Sequence, residues 1–431
     1  MNIVLIGMRG SGKTAVGRIL AQKLGRELVE MDELIVRKAG MSISKIVAQR
    51  GWERFRDLEE EVTAEVARRD DIINATGGGV VVREQNITKL KQNGLVVWLT
   101  ANVDTLSKRI GEDDSRPLLK GKTQQEDIEI TLAERQPLYR KAADITIDTE
   151  DKTPEAVAEL ITNTKICCLI GDPVEHSLSP LIHNAAYKAL GIDYAYITFR
   201  TSDIGRAIET IRERDIRGAS VTTPHKVNAL PYLDRLDPTA EAIGAVNTIV
   251  NDDGVLTGYN TDGDAALKAL EEVTDLGGKR VVLIGSGGAA LAIAAALKAN
   301  GAKLVILNRD EAKARQLANR VEAKDAGDLS KISLVTKADI LINATTVGMS
   351  PETKETIVPR EFLHDQLTVF DIVYNPKETR LLREARARGC AIVYGYKMLL
   401  HQAARQFELF TGHPAPLEVM ESTLIKALGG G

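Results

Sequence analysis

Four groups of residues in this 431-residue chain have types and spacings suited to chemistry. The first is GMRGSGKT, Gly7 to Thr14, set between an apolar run and an amphipathic one. Its glycines, with Gly10, Ser11 and Gly12 at the centre, let backbone N–H groups curl round phosphate oxygens at a helix N-terminus. Lys13 adds a cation, and Thr14 offers a hydroxyl to Mg²⁺. Such a loop binds a nucleoside triphosphate and leaves the acceptor of the phosphoryl group open. The second is GSGGAA, where Gly285, Ser286, Gly287, Gly288 and Ala289 lie between an apolar strand and an alanine-rich helix. That setting suits a dinucleotide pyrophosphate. The third is Ser177 and Ser179 between Pro173 and Pro180, with Asn184 one helical turn further on. Their hydroxyls and amide can face one polyhydroxylated ligand; equally, they can form an ST-turn that caps the helix starting near Pro180. The fourth is Thr222 and Lys226 around a proline turn, Asn247 in GAVNTIV, and Asn260 and Asp262 in TGYNTDG. A lysine that meets an aspartate beside a bound molecule is a proton-transfer pair. Taken singly, they read as a solvated lysine and a helix N-cap.

Further polar residues surround the two nucleotide loops. After ELVEM comes Asp32, and in GWERFRDLEEE the side chains of Arg56 and Glu59 share a helix face. INATGGG supplies Gly77 to Gly79, which bear no side chains and admit a ligand to the backbone. RPLL and RQPLY add Arg116 and Arg135, each inside a proline-bearing turn. Downstream of GSGGAA, the strand KLVILNRD ends at Asn308 and Arg309, with Lys313 a turn beyond. NAD-selective folds carry an acid at that strand end, whereas arginine suits a 2′-phosphate, so NADP(H) is expected. Asp310 places an opposing charge beside it.

These residues need strands and helices to carry them. NIVLI reads as a buried strand, followed by a helix with Val16, Ile19, Leu20 and Leu24 on one face and Gly25 as its stop. Thr153 and Pro154 read as the N-cap and first residue of a helix that turns Val157, Leu160 and Ile161 inward. Asn163 to Lys165 then lead straight into the next strand, and strands and short helices alternate through residue 270 as an α/β layer. A chain of this length holds two or three domains of about 100–200 residues each. Hydrophobic content of 44%, charged content of 27% and a net charge of −4 describe a soluble protein without a polybasic face. Nucleic acid and anionic membranes are thereby excluded as expected partners. No apolar run approaches the ~20 residues that span a bilayer, and the chain enters a strand at once, so a cytoplasmic location is expected. Cys167, Cys168 and Cys390 lie in apolar strands with neither disulfide nor metal spacing. The terminal GGG is expected to lack order.

The phosphate loop with Asp32, Arg56, Gly77 to Gly79, Arg116 and Arg135 resembles shikimate kinase over about the first 160 residues. The resemblance implies that Asp32, Arg56, Gly78, Gly79 and Arg135 hold shikimate, the two arginines on its carboxylate and Asp32 on its ring hydroxyls. Lys13 and Arg116 would stabilise the phosphoryl group leaving ATP with Mg²⁺. Glu30 stands where that family usually has an aspartate that holds Mg²⁺ through water. Residues from about 166 to 425 resemble shikimate dehydrogenase. Here Ser177, Ser179, Thr222, Lys226, Asn247, Asp262 and Gln402 carry over as the substrate site, with Lys226 and Asp262 as the catalytic pair. Tyr374, Gly395, Met398 and Gln402 would line nicotinamide and substrate. Ser220 replaces a common asparagine, which leaves quinate open as a side substrate. The expected architecture is α/β throughout: a P-loop kinase domain with a parallel sheet over residues 1–163, a substrate lobe from 166–270 and 390–431, and a Rossmann cofactor lobe from 271–389. The expected protein is a monomer or homodimer that reduces 3-dehydroshikimate with NADPH and phosphorylates shikimate with ATP. Two other readings share these residues: a kinase fused to a quinate/shikimate dehydrogenase, and a metabolite-sensing regulator without catalysis.

Overall fold

The computed structural model describes residues 1–111, 123–174 and 177–429, and these divide into two compact units, the first of Met1–Ile166 with Asp193–Arg200 and the second of Cys167–Ile192 with the chain from Thr201 onward. The first unit runs β1 (Asn2–Ile6), α1 (Lys13–Leu24), β2 (Glu27–Glu30), α2 (Met31–Ala39), α3 (Ile43–Ala67), β3 (Ile72–Ala75), α4 (Glu84–Lys91), β4 (Gly94–Thr100), α5 (Val103–Ile110), α6 (Gln124–Ala142), β5 (Ile145–Asp148) and α7 (Pro154–Asn163). Its strands pair in the order β2-β3-β1-β4-β5, all parallel. Helices cover such a sheet on both faces, which is why every residue of β1 is apolar or buried. The strand order reverses at β1, so the loop that follows it opens into a crevice. Gly17 keeps α1 close to the sheet: a Cβ there would stand 2.8 Å from Leu28 Cδ1. The α7 cap is as expected, with Thr153 Oγ1 accepting from Ala156 N at 3.2 Å. The inward residues are Val157, Ala158 and Ile161, while Leu160 is half-buried, so the buried stripe includes Ala158 in its place.

The chain then runs through a substrate lobe: β6 (Lys165–Gly171), α8 (Ser179–Leu190), β7 (Tyr194–Arg200), α9 (Ile204–Glu213), β8 (Gly218–Val221), β9 (Arg235–Leu236), α10 (Pro238–Ile243), β10 (Thr248–Asp252), β11 (Val255–Tyr259) and α11 (Asp262–Glu271). The strand order is β7-β6-β8-β10-β11-β9, with β6 and β8 parallel and the β8, β10 and β11 neighbours antiparallel. These directions bring the ends of β6, β8 and β11 and the start of β10 to one edge of the sheet.

The cofactor lobe follows: β12 (Arg280–Ile284), α12 (Gly288–Ala299), β13 (Lys303–Leu307), α13 (Glu311–Arg320), β14 (Asp325–Gly327), β15 (Ile340–Asn343), β16 (Thr368–Asp371), α14 (Arg380–Ala387) and β17 (Ala391–Tyr394). The order β14-β13-β12-β15-β16-β17, wholly parallel, is the doubly wound arrangement of dinucleotide-binding sheets. The expected return to the substrate lobe at residue 390 needs correction. Thr368 to Asp371 pair with Ala391 to Tyr394, so β17 closes the cofactor sheet and the return begins with α15 (Gly395–Thr411), followed by α16 (Leu417–Ala427). α15 packs along α11 and reaches the substrate sheet, where a Cβ on Gly218 would lie 2.2 Å from the Phe410 ring. The cysteines are all buried and none is in a disulfide. No helix among the described residues is long and apolar enough to cross a membrane.

Candidate active sites

α1 and its loop define the first site. Gly12 adopts φ 93° and supplies no side-chain cap, so the first N–H groups of α1 stay available to an anion. Lys13 Nζ reaches back over the loop to Gly7 O and Met8 O at 2.9 and 2.8 Å, which sets its charge at the centre of the cradle. An open cleft of about 660 Å³ runs from Glu30 and Asp32 past Gly10, Ser11, Gly12, Lys13 and Thr14 to Arg109, Lys152 and Pro154. Arg109 is pinned by Thr149, donating to its Oγ1 at 2.8 Å and its carbonyl at 2.6 Å. Sequence reasoning missed this far wall, since only the meeting of α5 with the segment after β5 brings Arg109 and Pro154 to one place. Thr14 Oγ1 donates to Glu30 Oε2 at 2.9 Å. Hydroxyl and carboxylate oxygens are the hard donors that Mg²⁺ prefers, and with phosphate oxygens they fit that ion.

The three glycines lie where that cleft meets α3 and α6. Gly78 stands against the phosphate loop, its absent Cβ 3.5 Å from Arg9 N and Gly7 O, so a molecule seated there adjoins a terminal phosphate. A Cβ on Gly77 would strike Asp32 Oδ1 at 2.6 Å, and one on Gly79 would strike Arg56 Nη1 at 2.1 Å. Arg56 is held by the buried Glu59 at 2.5 Å and lies 5.2 Å from the Phe55 ring centroid. Arg135 Nη1 donates to Gly78 O at 3.1 Å, and Tyr139 Oη shares that carbonyl. Asp32, Arg56, Gly77 to Gly79 and Arg135 thus converge, with two arginines and one carboxylate around bare backbone. Arg116 falls outside the described residues.

In the second unit one carboxylate gathers the polar groups. Asp262 Oδ2 accepts from Lys226 Nζ at 2.5 Å, and Oδ1 accepts from Asn247 Nδ2 at 2.8 Å and Gln402 Nε2 at 2.5 Å. Asp262 is 2% exposed, and it opens α11; the expected N-cap role falls to the position of Thr261. Three donors converge on the carboxylate at a helix N-terminus, and it holds the Lys226 side chain beside it. Ser177 and Ser179 stand at the start of α8, with Ser177 Oγ 3.3 Å from both Ser179 N and Ser179 Oγ. The serine turn therefore forms, and it leaves the hydroxyls at the edge where Thr222 and Lys226 emerge. Gly171 makes room for Thr222, whose Cγ2 would be 2.3 Å from a Cβ there.

Lys226 also adjoins the cofactor loop, its Cδ 4.0 Å from the position of a Cβ on Gly288. Gly285 has φ 126°, and a Cβ on it would meet Ala344 O at 2.7 Å, so the loops after β12 and β15 close on each other at the reversal of strand order. Gly287 precedes α12 without a side-chain cap, and Ser286 to Ala289 are open to solvent to differing degrees. Arg309 and Lys313 are exposed at the end of β13. Asp310 caps α13, accepting from Lys313 N at 3.3 Å, while Asn308 Nδ2 braces the turn on Asp310 O at 3.2 Å. These groups fit a dinucleotide with a 2′-phosphate. Tyr374 is half-buried and Met398 buried; Gly395 lies so close to Ile372 O and Val373 O that a Cβ would be 2.5 Å from each.

Behind the Tyr374 loop, Asp371 Oδ1 accepts from Asn343 Nδ2 at 3.0 Å and Val373 N at 3.1 Å, and Oδ2 accepts from Thr379 Oγ1 at 2.7 Å. Burial outweighs these three donors and pushes its carboxyl up to about 6. Its role was not foreseen, because DIVYNP shows no partner for it.

The fold and sites define a P-loop kinase domain followed by a two-lobed dehydrogenase with a Rossmann cofactor lobe. Comparison with known families makes this particular. Residues 9–165 match the shikimate kinase family, 169–249 the shikimate dehydrogenase substrate binding domain, 267–378 the shikimate/quinate 5-dehydrogenase family and 395–425 the shikimate 5′-dehydrogenase C-terminal domain. A shikimate dehydrogenase (NADP(+)) of Methanobrevibacter smithii is 49% identical over 277 residues, 62% of this chain and 98% of that protein. The shikimate 5-dehydrogenase of Listeria monocytogenes, solved with shikimate and NAD, is 39% identical with a TM-score of 0.58, covering 61% of this chain and 96% of that one. The enzyme of Thermus thermophilus, solved with NADP(H) and shikimate, is 35% identical with a TM-score of 0.58, covering 61% of this chain and all of that one. The chain belongs to the shikimate dehydrogenase family and carries a shikimate kinase domain ahead of it.

The Asp371 carboxyl generates a pH prediction. The folded state binds this proton more tightly than the unfolded chain, whose value is 3.8, so its contribution falls as pH rises from about 4 to 6. The loss is at most about 3 kcal/mol. In calorimetry, the midpoint difference between Asp371→Asn and wild type should move in favour of the variant across that window; a difference independent of pH would refute the assignment.

Proposed function

We propose that the chain runs two consecutive steps, reduction of 3-dehydroshikimate to shikimate with NADPH and phosphorylation of shikimate with ATP. The observation that carries the first step is the Lys226–Asp262 pair beside Gly288, a proton donor at the mouth of a dinucleotide cradle. NADPH supplies the hydride. Lys226, as ammonium, gives its proton to the substrate oxygen as the carbonyl becomes an alkoxide, and solvent restores the proton. Asp262 keeps Lys226 aimed until that moment, and Asn247 and Gln402 hold Asp262. Ser177 and Ser179 take the substrate carboxylate, with Thr222 alongside. Ser286 to Ala289 take the pyrophosphate, Arg309 and Lys313 the 2′-phosphate, with Asn308 bracing their turn. Tyr374, Gly395 and Met398 bound the nicotinamide.

In the kinase domain, Arg56 and Arg135 hold the shikimate carboxylate over Gly78 and Gly79, and Asp32 orients the ring hydroxyl that attacks. Lys13 and the loop amides neutralise the transferring phosphoryl, a role Arg116 would share. Mg²⁺ would supply charge stabilisation to the phosphates when bound, and Thr14 with Glu30 would hold it. Arg109 and Pro154 flank the nucleoside. A regulator would keep binding groups but has no need of Lys13, Lys226 and Asp262 together. Ser220, whose type left quinate open, donates its proton to Gln406 at 2.8 Å. A cytoplasmic location suits both cofactors and buried cysteines that are in thiol form, and the net charge of −4 supports small molecules over nucleic acid or membrane as partners.

Lys226→Ala should lower dehydroshikimate reduction about 10²–10⁴-fold with NADPH binding and kinase activity intact, and Lys13→Ala should abolish phosphorylation alone. Joint loss in either folded variant would sink the two-site reading. The wild type should prefer NADPH over NADH at least about tenfold, on the order of one charge-assisted hydrogen bond, and Arg309→Ala should erase most of that; equal use of both cofactors by the wild type contradicts the 2′-phosphate assignment. Glu30→Gln should weaken Mn²⁺ binding to the protein with ADP by about tenfold, read by electron paramagnetic resonance; unchanged binding would remove Glu30 from the metal site.

A further inference from the structure

Behind the substrate site lies a polar network that the catalytic assignment leaves unused. Its centre is Gln406, 3% exposed, one helical turn beyond Gln402 on α15. Its Oε1 accepts from Ser220 Oγ at 2.8 Å, and its Nε2 donates to Thr248 Oγ1 at 2.9 Å and Asn247 O at 3.2 Å. Ser220 and Thr248 face each other in the antiparallel register of β8 and β10. One amide therefore ties the strand that leads to Lys226 to the strand headed by Asn247. His183 on α8 is the titratable neighbour of this amide; burial holds it down to about 3, so it is neutral in the working range.

The direction of each bond matters. A threonine hydroxyl has one proton and accepts through its lone pairs. Because Gln406 Nε2–H occupies a lone pair of Thr248, the Thr248 proton goes to Asn247 Oδ1, 2.8 Å away. That oxygen also accepts from Thr261 N at 2.9 Å, which leaves Asn247 Nδ2 facing Asp262 Oδ1. We propose that Gln406 is a positioning residue for the reduction: through Thr248 it fixes the amide of Asn247, and through that amide it holds the Asp262 carboxylate that aims Lys226. This rests on the assignment of dehydroshikimate reduction to this site. Without Gln406 the Thr248 proton is free to turn elsewhere, the Asn247 oxygen loses that donor and is left with its contacts to Thr261, and the Lys226 ammonium is aimed less tightly while the substrate contacts at Ser177 and Ser179 persist.

The test uses the full chain as Gln406→Leu, as the isosteric Thr248→Val, which leaves Gln406 in place, and as the double variant. Active sites are counted by NADPH titration, and kcat, KM and the D₂O effect on kcat are measured with dehydroshikimate. Each single variant should lower kcat about tenfold per active site, the scale of one hydrogen bond to a charged group. KM should stay within about twofold and the D₂O effect should rise, because proton delivery becomes limiting. The double variant should be no slower than the worse single one, since both break the same relay. An unchanged D₂O effect, a loss that vanishes per active site, or additive losses would each overturn the proposal. If the wild type reduces dehydroshikimate and the variants match it, the positioning role alone falls; if the wild type reduces none, the functional assignment falls and takes this role with it.

Discussion

The second unit depends on holding the Asp262 carboxyl group inside the protein. Asp262 is almost wholly enclosed, and a carboxyl group taken out of water needs hydrogen-bond donors in its place. Its donors come from three separate parts of the chain: Lys226 after β8, Asn247 ahead of β10, and Gln402 from 140 residues downstream. The last of these explains the topology. The substrate lobe is incomplete until the chain has built the whole cofactor sheet and come back as α15, and the element that completes it starts at Gly395, pressed against the loop after β16. One helix thereby joins the loop after β16 in one sheet to the Lys226–Asp262 pair at the edge of the other.

The two nucleotide loops rest on a different constraint, the unpaired N–H groups that every helix start must satisfy. Helices α5, α6, α7, α9, α13 and α14 meet it with the side chains of Asn102, Thr123, Thr153, Asp203, Asp310 and Thr379. α1 and α12 follow Gly12 and Gly287, which have no side chain to offer. The N–H groups are then available to phosphate, and the same lack of a Cβ lets the ligand approach. At Gly77 and Gly79 the absent Cβ serves a second end, since Asp32 and the Arg56 guanidinium occupy the space a side chain would need.

Local patterns were legible and distant partners were not. The glycine loops, the α7 cap, the strand β1 and the polar residues Asp32, Arg56, Asn247 and Asp262 could be picked out because each motif carries its context within a few residues. Gln406 could not, because its partners Ser220 and Thr248 lie 186 and 158 residues away and nothing in HQAARQF distinguishes a core amide from a surface one. Arg109 failed for the same reason. The end of the cofactor lobe was misplaced by the length of β17, since CAIVY reads as a buried strand whichever sheet it joins. Asp262 read as a cap because an acid near a helix start usually is one; here that backbone position belongs to Thr261, and the carboxylate is taken by side chains.

Three residues that depart from the usual pattern are explained by where their polar atoms point. Asp310 adds a negative charge beside the arginine expected to meet a 2′-phosphate, and a count of charges would set one against the other. Its Oδ1, however, accepts from the backbone at the start of α13, where the positive end of the helix offsets it, much as a threonine hydroxyl would fill the same place. Glu30 is longer than an aspartate, and the added reach brings it to the Thr14 hydroxyl. Ser220 is shorter than an asparagine, and Gln406 comes across from α15 to meet it. In each case the change in length or charge is taken up by a neighbouring group, so the chemistry of a site follows from which atoms remain after caps and internal pairs have been subtracted.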